Sequence, residues 1–471
     1  MSSTPDPLQT LNLTIPTLLS AYRTGSLTPS QVITTIYDRI ATYPHTSSLW
    51  LTLIPRASAL QRAQQLQAAH PSSSSSPLPP LYGIPFSVKD SFDVTPHPTT
   101  AACPSFSYTR ASTAPCVRSL LAAGAILIGK TNMDQFGTGM TGCRSPHGVP
   151  PCAHDPAYIP GGSSSGAAVS VALGFACFAL GTDTAGSVRV PAALNGVVGL
   201  KPTLGTVSTV GVVPAVPTAD AVGVLARGAD DARAVLGVVR AYDSADVYAR
   251  AHVPPPPPWG SPVRFAAPPA DLLRRVLSRE YLALYGEAVA ALSALGCADR
   301  TGDFGYAPFA RAGALLYGGS MVAQRLVSFG AYLAAHGTAG LHPVTREVFS
   351  RAQAANHDAV RAYSDMHALQ GYRRAAEMEF RDRADVLVVP STVAHYTIAE
   401  VEADPLGTNE RMGEFAHFVN PLDLCAVAVP AGRWTNANGN EMPFGVTLIA
   451  PAGRDYDVLG LGKRLMEYMG Q

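Results

Sequence analysis

Gly161-Gly-Ser-Ser-Ser-Gly166, an apolar run over residues 167–180, and Gly181-Thr-Asp-Thr-Ala-Gly-Ser-Val-Arg-Val-Pro191 together decide the reading of this chain. Two clusters of glycine and hydroxyl residues flank a buried segment. Glycine permits positive φ and close approach of the backbone to a ligand. Successive N–H groups in such a turn form an anion-binding concavity. Ser187, at the end of the second cluster, is therefore a candidate nucleophile with an oxyanion site in its own loop, and the question is which base activates it. The run between the clusters, punctuated by Ser170 and Gly174, reads as a buried helix passing into a buried strand.

Around that stretch lie other apolar segments. Tyr82-Gly-Ile-Pro-Phe-Ser-Val-Lys-Asp90 reads as a short buried strand ending at Lys89, and residues 125–128 as another. Further apolar segments follow at 196–202, 385–390, 426–429 and 444–449. Residues 9–69 read as helices, with Thr28-Pro-Ser-Gln31 a capping box. Residues 117–123, 229–240, 272–295, 309–335 and 345–381 also read as helical. Residues 71–80, with five consecutive serines, read as a linker or loop. The proline run 254–258 is the best candidate for a seam between sub-regions. Residues 91–115 and 137–160 read as loop. The expected architecture is α/β: a large mixed, mostly parallel sheet covered by helices on both faces, in which early and late strands share one sheet. The chain is expected to be one domain. Helices fill 1–80, the glycine/serine core 81–253, a mainly helical region 254–383, and sheet-completing strands 384–471, with no further domain after them.

With 471 residues, 47% of them apolar, the chain can bury a large core. Lys+Arg and Asp+Glu both number 34, which argues against a nucleic-acid or membrane-surface partner. The seven cysteines show no disulfide spacing and read as buried thiols of a reducing compartment. Cys143, Cys152 and His154 lack a fourth zinc ligand. Met1-Ser-Ser-Thr-Pro5 lacks the pattern of a signal peptide, and no apolar run has transmembrane character. A soluble cytoplasmic protein is expected, with homodimer assembly left open.

Two familiar motifs fail on context. Gly124-Ala-Ile-Leu-Ile-Gly-Lys-Thr131 has phosphate-loop spacing, but its intervening residues are themselves strand-like. Gly162-Ser-Ser-Ser-Gly166 has nucleophile-elbow spacing, but proline-rich residues 150–160 precede it where a strand is required. Lys89 remains. An ammonium at the end of an apolar strand is partly desolvated, which lowers its pKa toward that of a base. Alone, such a lysine is as well explained by snorkelling to water.

The two clusters, the segment Pro85-Phe-Ser-Val-Lys-Asp90 and Gly199-Leu-Lys-Pro-Thr203 resemble the amidase signature family over nearly the whole chain. The resemblance implies a Ser–cis-Ser–Lys triad: Ser187 as nucleophile, Ser163 as bridging serine after a cis Gly162–Ser163 bond, and Lys89 as base. It implies an oxyanion hole from the backbone N–H groups of Thr184, Ala185, Gly186 and Ser187, with Asp183 and Arg189 bracing the loop. No metal or organic cofactor is implied. Thr131-Asn-Met-Asp-Gln-Phe-Gly-Thr-Gly139, with Gly142 and Arg144-Ser-Pro146, is similar to the allophanate hydrolase branch. Leu315-Leu-Tyr-Gly-Gly-Ser-Met-Val-Ala-Gln-Arg325 is similar to its substrate segment. Tyr317, Arg325, Gly137 and Gly139 then fall on the substrate side. Eight residues separate Tyr317 from Arg325, about two helical turns, so both are expected on one helix face, with the arginine taking a small carboxylate. Gly319-Ser-Met321 and Gln324 depart from the Gly-Pro-Trp and glutamate of that branch. The implied activity is hydrolysis of a small carboxylated amide. The alternatives are a malonamate-type or general amidase, a glutamine amidotransferase subunit, and a binding protein that has lost catalysis.

Overall fold

Among the described residues, eleven strands drawn from positions 50 to 451 form one sheet in a computed structural model of the chain. The structure describes residues 13–71, 77–254 and 256–471. The N-terminal stretch tested for a signal peptide, the start of the region read as helical, the serine run of the 71–80 segment, and Pro255 lie outside them. The strands are β1 (Trp50–Leu53), β2 (Pro85–Lys89), β3 (Ile126–Thr131), β4 (Phe178–Asp183), β5 (Val198–Lys201), β6 (Ala221–Ala226), β7 (Arg264–Ala266), β8 (Ala298–Asp299), β9 (Val386–Pro390), β10 (Leu424–Thr435) and β11 (Glu441–Pro451). Their order is β1-β3-β2-β4-β6-β5-β10-β11-β9-β7-β8, so early and late strands do share one sheet.

The sheet is mixed but not mostly parallel. β2 runs parallel to β3 and β4, and β7 runs parallel to β8 and β9. The other six pairings are antiparallel. Uninterrupted apolar runs such as Val386–Pro390 signal burial on both faces. Burial does not encode strand direction, and here the β10–β11 hairpin and the return through β6 reverse it.

Both faces are covered. Val427, Val429 and Leu448 face the C-terminal helix Asp455–Tyr468, which packs beside the helix Ala229–Val239 in the main core. The other face holds Ala179, Leu225 and Ala428, against Ala167, Ala168 and Val171 of the helix Ser165–Ala172 and against Val188 and Ala192. On this second face the strands carry Gly181, Gly199, Gly223 and Gly445. A Cβ on Gly199 would stand 2.5 Å from the Ala192 Cβ, and one on Gly445 would stand 2.7 Å from the Ala193 Cβ. One on Gly223 would meet Val188, and one on Gly181 would meet Ser164. Four bare positions thus let the short helix Arg189–Leu194 and the serine turn sit directly on the sheet.

The capping box at Thr28 is present, with reciprocal bonds between Thr28 and Gln31. β1 interrupts the region read as helical. The 272–295 segment divides into helices Ala270–Val276 and Arg279–Ala294, where Ser278 caps the second. The 345–381 segment divides at Asn356, whose φ of 41° ends the helix Pro343–Ala355 before Asp358 caps Ala359–Asp382. β3 contains Ile126 to Gly129, so the phosphate-loop spacing falls within a strand. Among the described residues, no helix is long and apolar enough to cross a membrane.

Candidate active site

Lys89 ends β2 with its side chain fully buried. Its Nζ donates to Ser163 Oγ and to Thr182 Oγ1, both at 2.7 Å. Burial lowers its pKa from 10.5 to about 7. The carboxylates of Asp134, Asp183 and Asp220 pull the other way, and the charge of Arg325 adds to the lowering. Thr182 went unnoticed in the sequence. The available signal is its hydroxyl near the end of β4, the strand that pairs with β2.

Ser163 is held by a turn that only these residues make. Gly161 has φ +71° and the Gly162–Ser163 bond is cis. The Gly162 N–H donates to the Met140 carbonyl at 2.8 Å and the Asp134 N–H donates to the Ser163 carbonyl at 3.2 Å. The Asp134 carboxylate accepts from the N–H groups of Gly142, at 3.0 Å, and Arg144, at 2.8 Å. A Cβ on Gly162 would overlap that carboxylate. The neighbouring serines bond to backbone instead. Ser164 Oγ donates to the Thr182 carbonyl at 3.3 Å, and Ser165 Oγ donates to the Asn132 carbonyl at 3.4 Å. Ser163 is the serine of this turn whose hydroxyl meets Lys89.

The Ser164 N–H donates to the Ser187 carbonyl at 3.2 Å, which fixes the second cluster against the first. Asp183 organises that second loop. Its carboxylate accepts from the N–H groups of Gly186, at 2.9 Å, and Val188, at 3.1 Å, and from Arg189 Nη2, at 2.9 Å. Burial pushes the Asp183 pKa up, but the Arg189 guanidinium and these donors outweigh it and hold the carboxyl below its ordinary value. Arg189 also donates to the Ala416 carbonyl and to Asn420 Oδ1. Asp183 and Arg189 therefore brace the loop as expected. Gly186 needs correction. Its N–H already donates to Asp183, so it is not a free oxyanion donor. Its φ of +118°, with the Ala416 Cβ 2.7 Å from where its own would stand, requires glycine for shape. The N–H groups of Ala185 and Ser187 have no partner among the described residues. Thr184 is fixed through its hydroxyl, which donates to Asp220 Oδ1 at 2.5 Å. Asp220, another residue the sequence did not single out, also accepts from the N–H groups of Ala215, at 2.8 Å, and Val216, at 3.1 Å.

Tyr317 and Arg325 do meet, but not on one helix. Tyr317 is in the last turn of Ala307–Gly318 and Arg325 is in Ala323–His336. Between them, Gly319 and the turn Ser320–Val322 break the helix, and the Ser320 N–H donates to Asp365 Oδ2 at 2.7 Å. The Arg325 guanidinium lies 3.4 Å from the Tyr317 hydroxyl and 5.7 Å from its ring centre. Arg325 is 2% exposed. It donates to Thr138 Oγ1 at 2.8 Å and to the carbonyls of Phe136 and Gly137 at 3.4 and 3.5 Å, so its hydrogen-bond partners are all neutral. Gly137 faces Ser163, whose Oγ is 3.8 Å from where its Cβ would stand. Gly139 packs against Asp134 and Arg144 and supports the turn instead. Tyr317 also packs against the cluster of Ala185, Val216, Ala219 and Leu316, beside the loop that carries Ser187. His417, absent from the sequence reading, lies with its ring 5.0 Å from that of Tyr317. Gln324 accepts from the Thr218 N–H at 3.3 Å and donates to Thr218 Oγ1 at 2.8 Å. It thereby ties the Arg325 helix to the segment that carries Asp220.

The profile of the Amidase family matches residues 31–459. The chain is 37% identical over 428 residues to urea amidolyase of Saccharomyces cerevisiae, a match covering 89% of this chain and 22% of that protein. The chain thus spans well under a third of the length of the urea amidolyases it matches. It is 32% identical over 465 residues to a glutamyl-tRNA(Gln) amidotransferase subunit from Symbiobacterium thermophilum, covering 92% of each. Among solved structures, Kluyveromyces lactis allophanate hydrolase superposes with a TM-score of 0.87 at 35% identity, covering 98% of this chain and 73% of that one.

Proposed function

This chain belongs to the amidase family, an amidohydrolase fold and chemistry, and we propose that it hydrolyses the terminal amide of a small carboxylated amide, allophanate foremost, releasing ammonia. One juxtaposition carries the reading: a buried guanidinium bonded only to neutral groups stands one peptide from a buried lysine–serine contact. A carboxylate is the partner such an arginine lacks.

In this mechanism neutral Lys89 takes the Ser163 proton along the 2.7 Å contact. Ser163 in turn takes the proton of Ser187, whose Oγ attacks the amide carbonyl. The N–H groups of Thr184, Ala185 and Ser187 receive the oxyanion, each such donor being worth about 2.7–4 kcal/mol in the transition state. Asp183 and Asp220 hold that loop in shape without touching substrate. The relay returns the proton to the leaving nitrogen, ammonia departs, and water hydrolyses the acyl-enzyme. Arg325 and Tyr317 hold the substrate carboxylate.

The test is ammonia release across allophanate, malonamate, biuret and acetamide with the isolated chain. Turnover of the carboxylated amides well above that of acetamide is expected. Equal turnover of charged and neutral amides would sink the substrate assignment. Glutamine hydrolysis that requires a second protein would favour the amidotransferase alternative.

A further inference from the structure

A cavity of about 350 Å3 opens at the protein surface and ends beside residues that touch the candidate triad. Its mouth carries Val247, 88% exposed, and Tyr248, 45% exposed. Its walls are apolar: Val210, Val212, Val213, Pro214 and Val222. Its inner end meets Thr182, which bonds to Lys89, and Gly137, which faces Ser163. Tyr317 and Arg325 do not line it.

Three polar features give the cavity a chemical sign. Asp220 and Asp246 line it, and among the described residues no lysine, arginine or histidine does. Ser91, 2% exposed, also lines it, and its hydroxyl has no hydrogen-bond partner. Such a buried orphan is costly. Both carboxylates accept from protein donors, Asp246 from the N–H groups of Thr209 and Tyr248, yet keep their charge, and a cation or amine with an apolar body fits two carboxylates and valine walls. A molecule the size of water fills about 30 Å3, so ammonia alone leaves most of the cavity unused.

We infer that this cavity receives the leaving amine, and that the chain also cleaves N-alkyl amides of its carboxylated substrate. The inference rests on the amide-hydrolysis reading of the site. The relay must hand its proton to the leaving nitrogen, so that nitrogen sits beside Ser163, and its substituent extends past Gly137 and Thr182 into the cavity. The Ser187 Oγ–carbonyl bond forms first and leaves an oxyanion; the C–N bond then breaks as the carbonyl re-forms. The proton from Ser187 passes through Ser163 to nitrogen, and a primary alkylamine leaves.

Calorimetric titration of the chain with methyl-, ethyl-, propyl- and butylammonium chloride tests this without any substrate. Affinity is expected to rise about fourfold per methylene. Val210→Trp, which fills the cavity, should abolish the gradient and the turnover of an N-propyl amide. Ammonia release from the primary amide should stay within about twofold of wild type. Ala245, exposed and also lining the cavity, offers a second plug as Ala245→Phe, should Val210→Trp fold poorly. A flat series with the unmodified chain, or a gradient that survives both plugs, overturns the proposal. A gradient without any amide turnover would leave the amine cavity standing and remove the hydrolase reading.

Discussion

Lys89→Met should destroy activity and, at neutral pH, make the protein more stable. The pKa of Lys89 falls from 10.5 to about 7 on folding. Each tenfold loss of proton affinity costs about 1.4 kcal/mol, so the charged lysine destabilises the folded state by about 5 kcal/mol below pH 7. Methionine is close in size and removes that penalty, but it forfeits the bonds to Ser163 and Thr182, at about 1 kcal/mol each. The net gain at pH 6.5 is about 3 kcal/mol. The folded-state pKa lies below the unfolded one, so the unfolded chain binds more protons between pH 7 and 10.5, and wild-type stability rises with pH through that window. The penalty shrinks by about 1.4 kcal/mol per pH unit, so the advantage of Lys89→Met should vanish near about pH 9 and reverse above it. Thermal melts of both proteins from pH 6.5 to 10, followed by circular dichroism, measure this. A mutant less stable than wild type at pH 6.5, or a difference independent of pH, would refute the reasoning that Lys89 is a desolvated base.

Four further outcomes follow from the same geometry. The rate constant kcat/KM should rise with unit slope through about pH 7 and then level, as Lys89 loses its proton; a limb near pH 10 would contradict a neutral lysine base. Arg325→Ala should raise KM for a carboxylated amide about 10- to 100-fold, the loss of a charged hydrogen bond, and leave KM for a neutral amide unaffected, while the Lys89 pKa, freed of the Arg325 charge, rises for both substrates alike; equal KM losses on both would point to a structural role. Asp183→Asn leaves Arg189 buried without its carboxylate; a loss of about 3–5 kcal/mol in stability and a collapse of kcat are expected, and near-wild-type kinetics would show that the loop holds without Asp183. Gly199→Val forces a side chain into Ala192; a cost of about 1–3 kcal/mol with a fall in kcat is expected, and an unchanged kcat would separate the helix packing from the nucleophile.

The site was legible where its parts are local. The Gly161-Gly-Ser turn, the Asp183-to-Ser187 loop and Lys89 at a strand end each announce themselves within a few residues, because glycine placement and strand length are local constraints. The expected braces, Asp183 and Arg189, are i and i+6 in one loop. What escaped depends on distant partners. Asp220 reaches the site through Thr184, across β6 and β4, besides its local bonds to Ala215 and Val216. The Gln324–Thr218 tie spans 106 positions. The role of Gly186 changed because a hydrogen bond shows which N–H is already engaged, whereas a motif shows only that an N–H exists. Strand direction is illegible for a similar reason. β10 and β11 are nearly continuous apolar runs, so no alternation marks them as a hairpin, and the register from Leu424 to Pro451 exists only once they pair. The helix break at Gly319 was hidden because Tyr317 and Arg325 meet anyway, with Asp365 holding the break from a later helix.

The four bare glycine positions under the serine turn, Val188 and the Arg189–Leu194 helix have a consequence for how the enzyme comes into being. They belong to β4, β6, β5 and β11, and the last of them, Gly445, lies 258 positions after Ser187. A growing polypeptide therefore carries Ser187, the proposed nucleophile, long before it possesses the floor on which that loop rests. Contacts of such long range form late, after the loop-closure cost has been met. A truncated chain ending before β11 should fold its early helices and remain silent toward amides, because reactivity arrives with the closing hairpin.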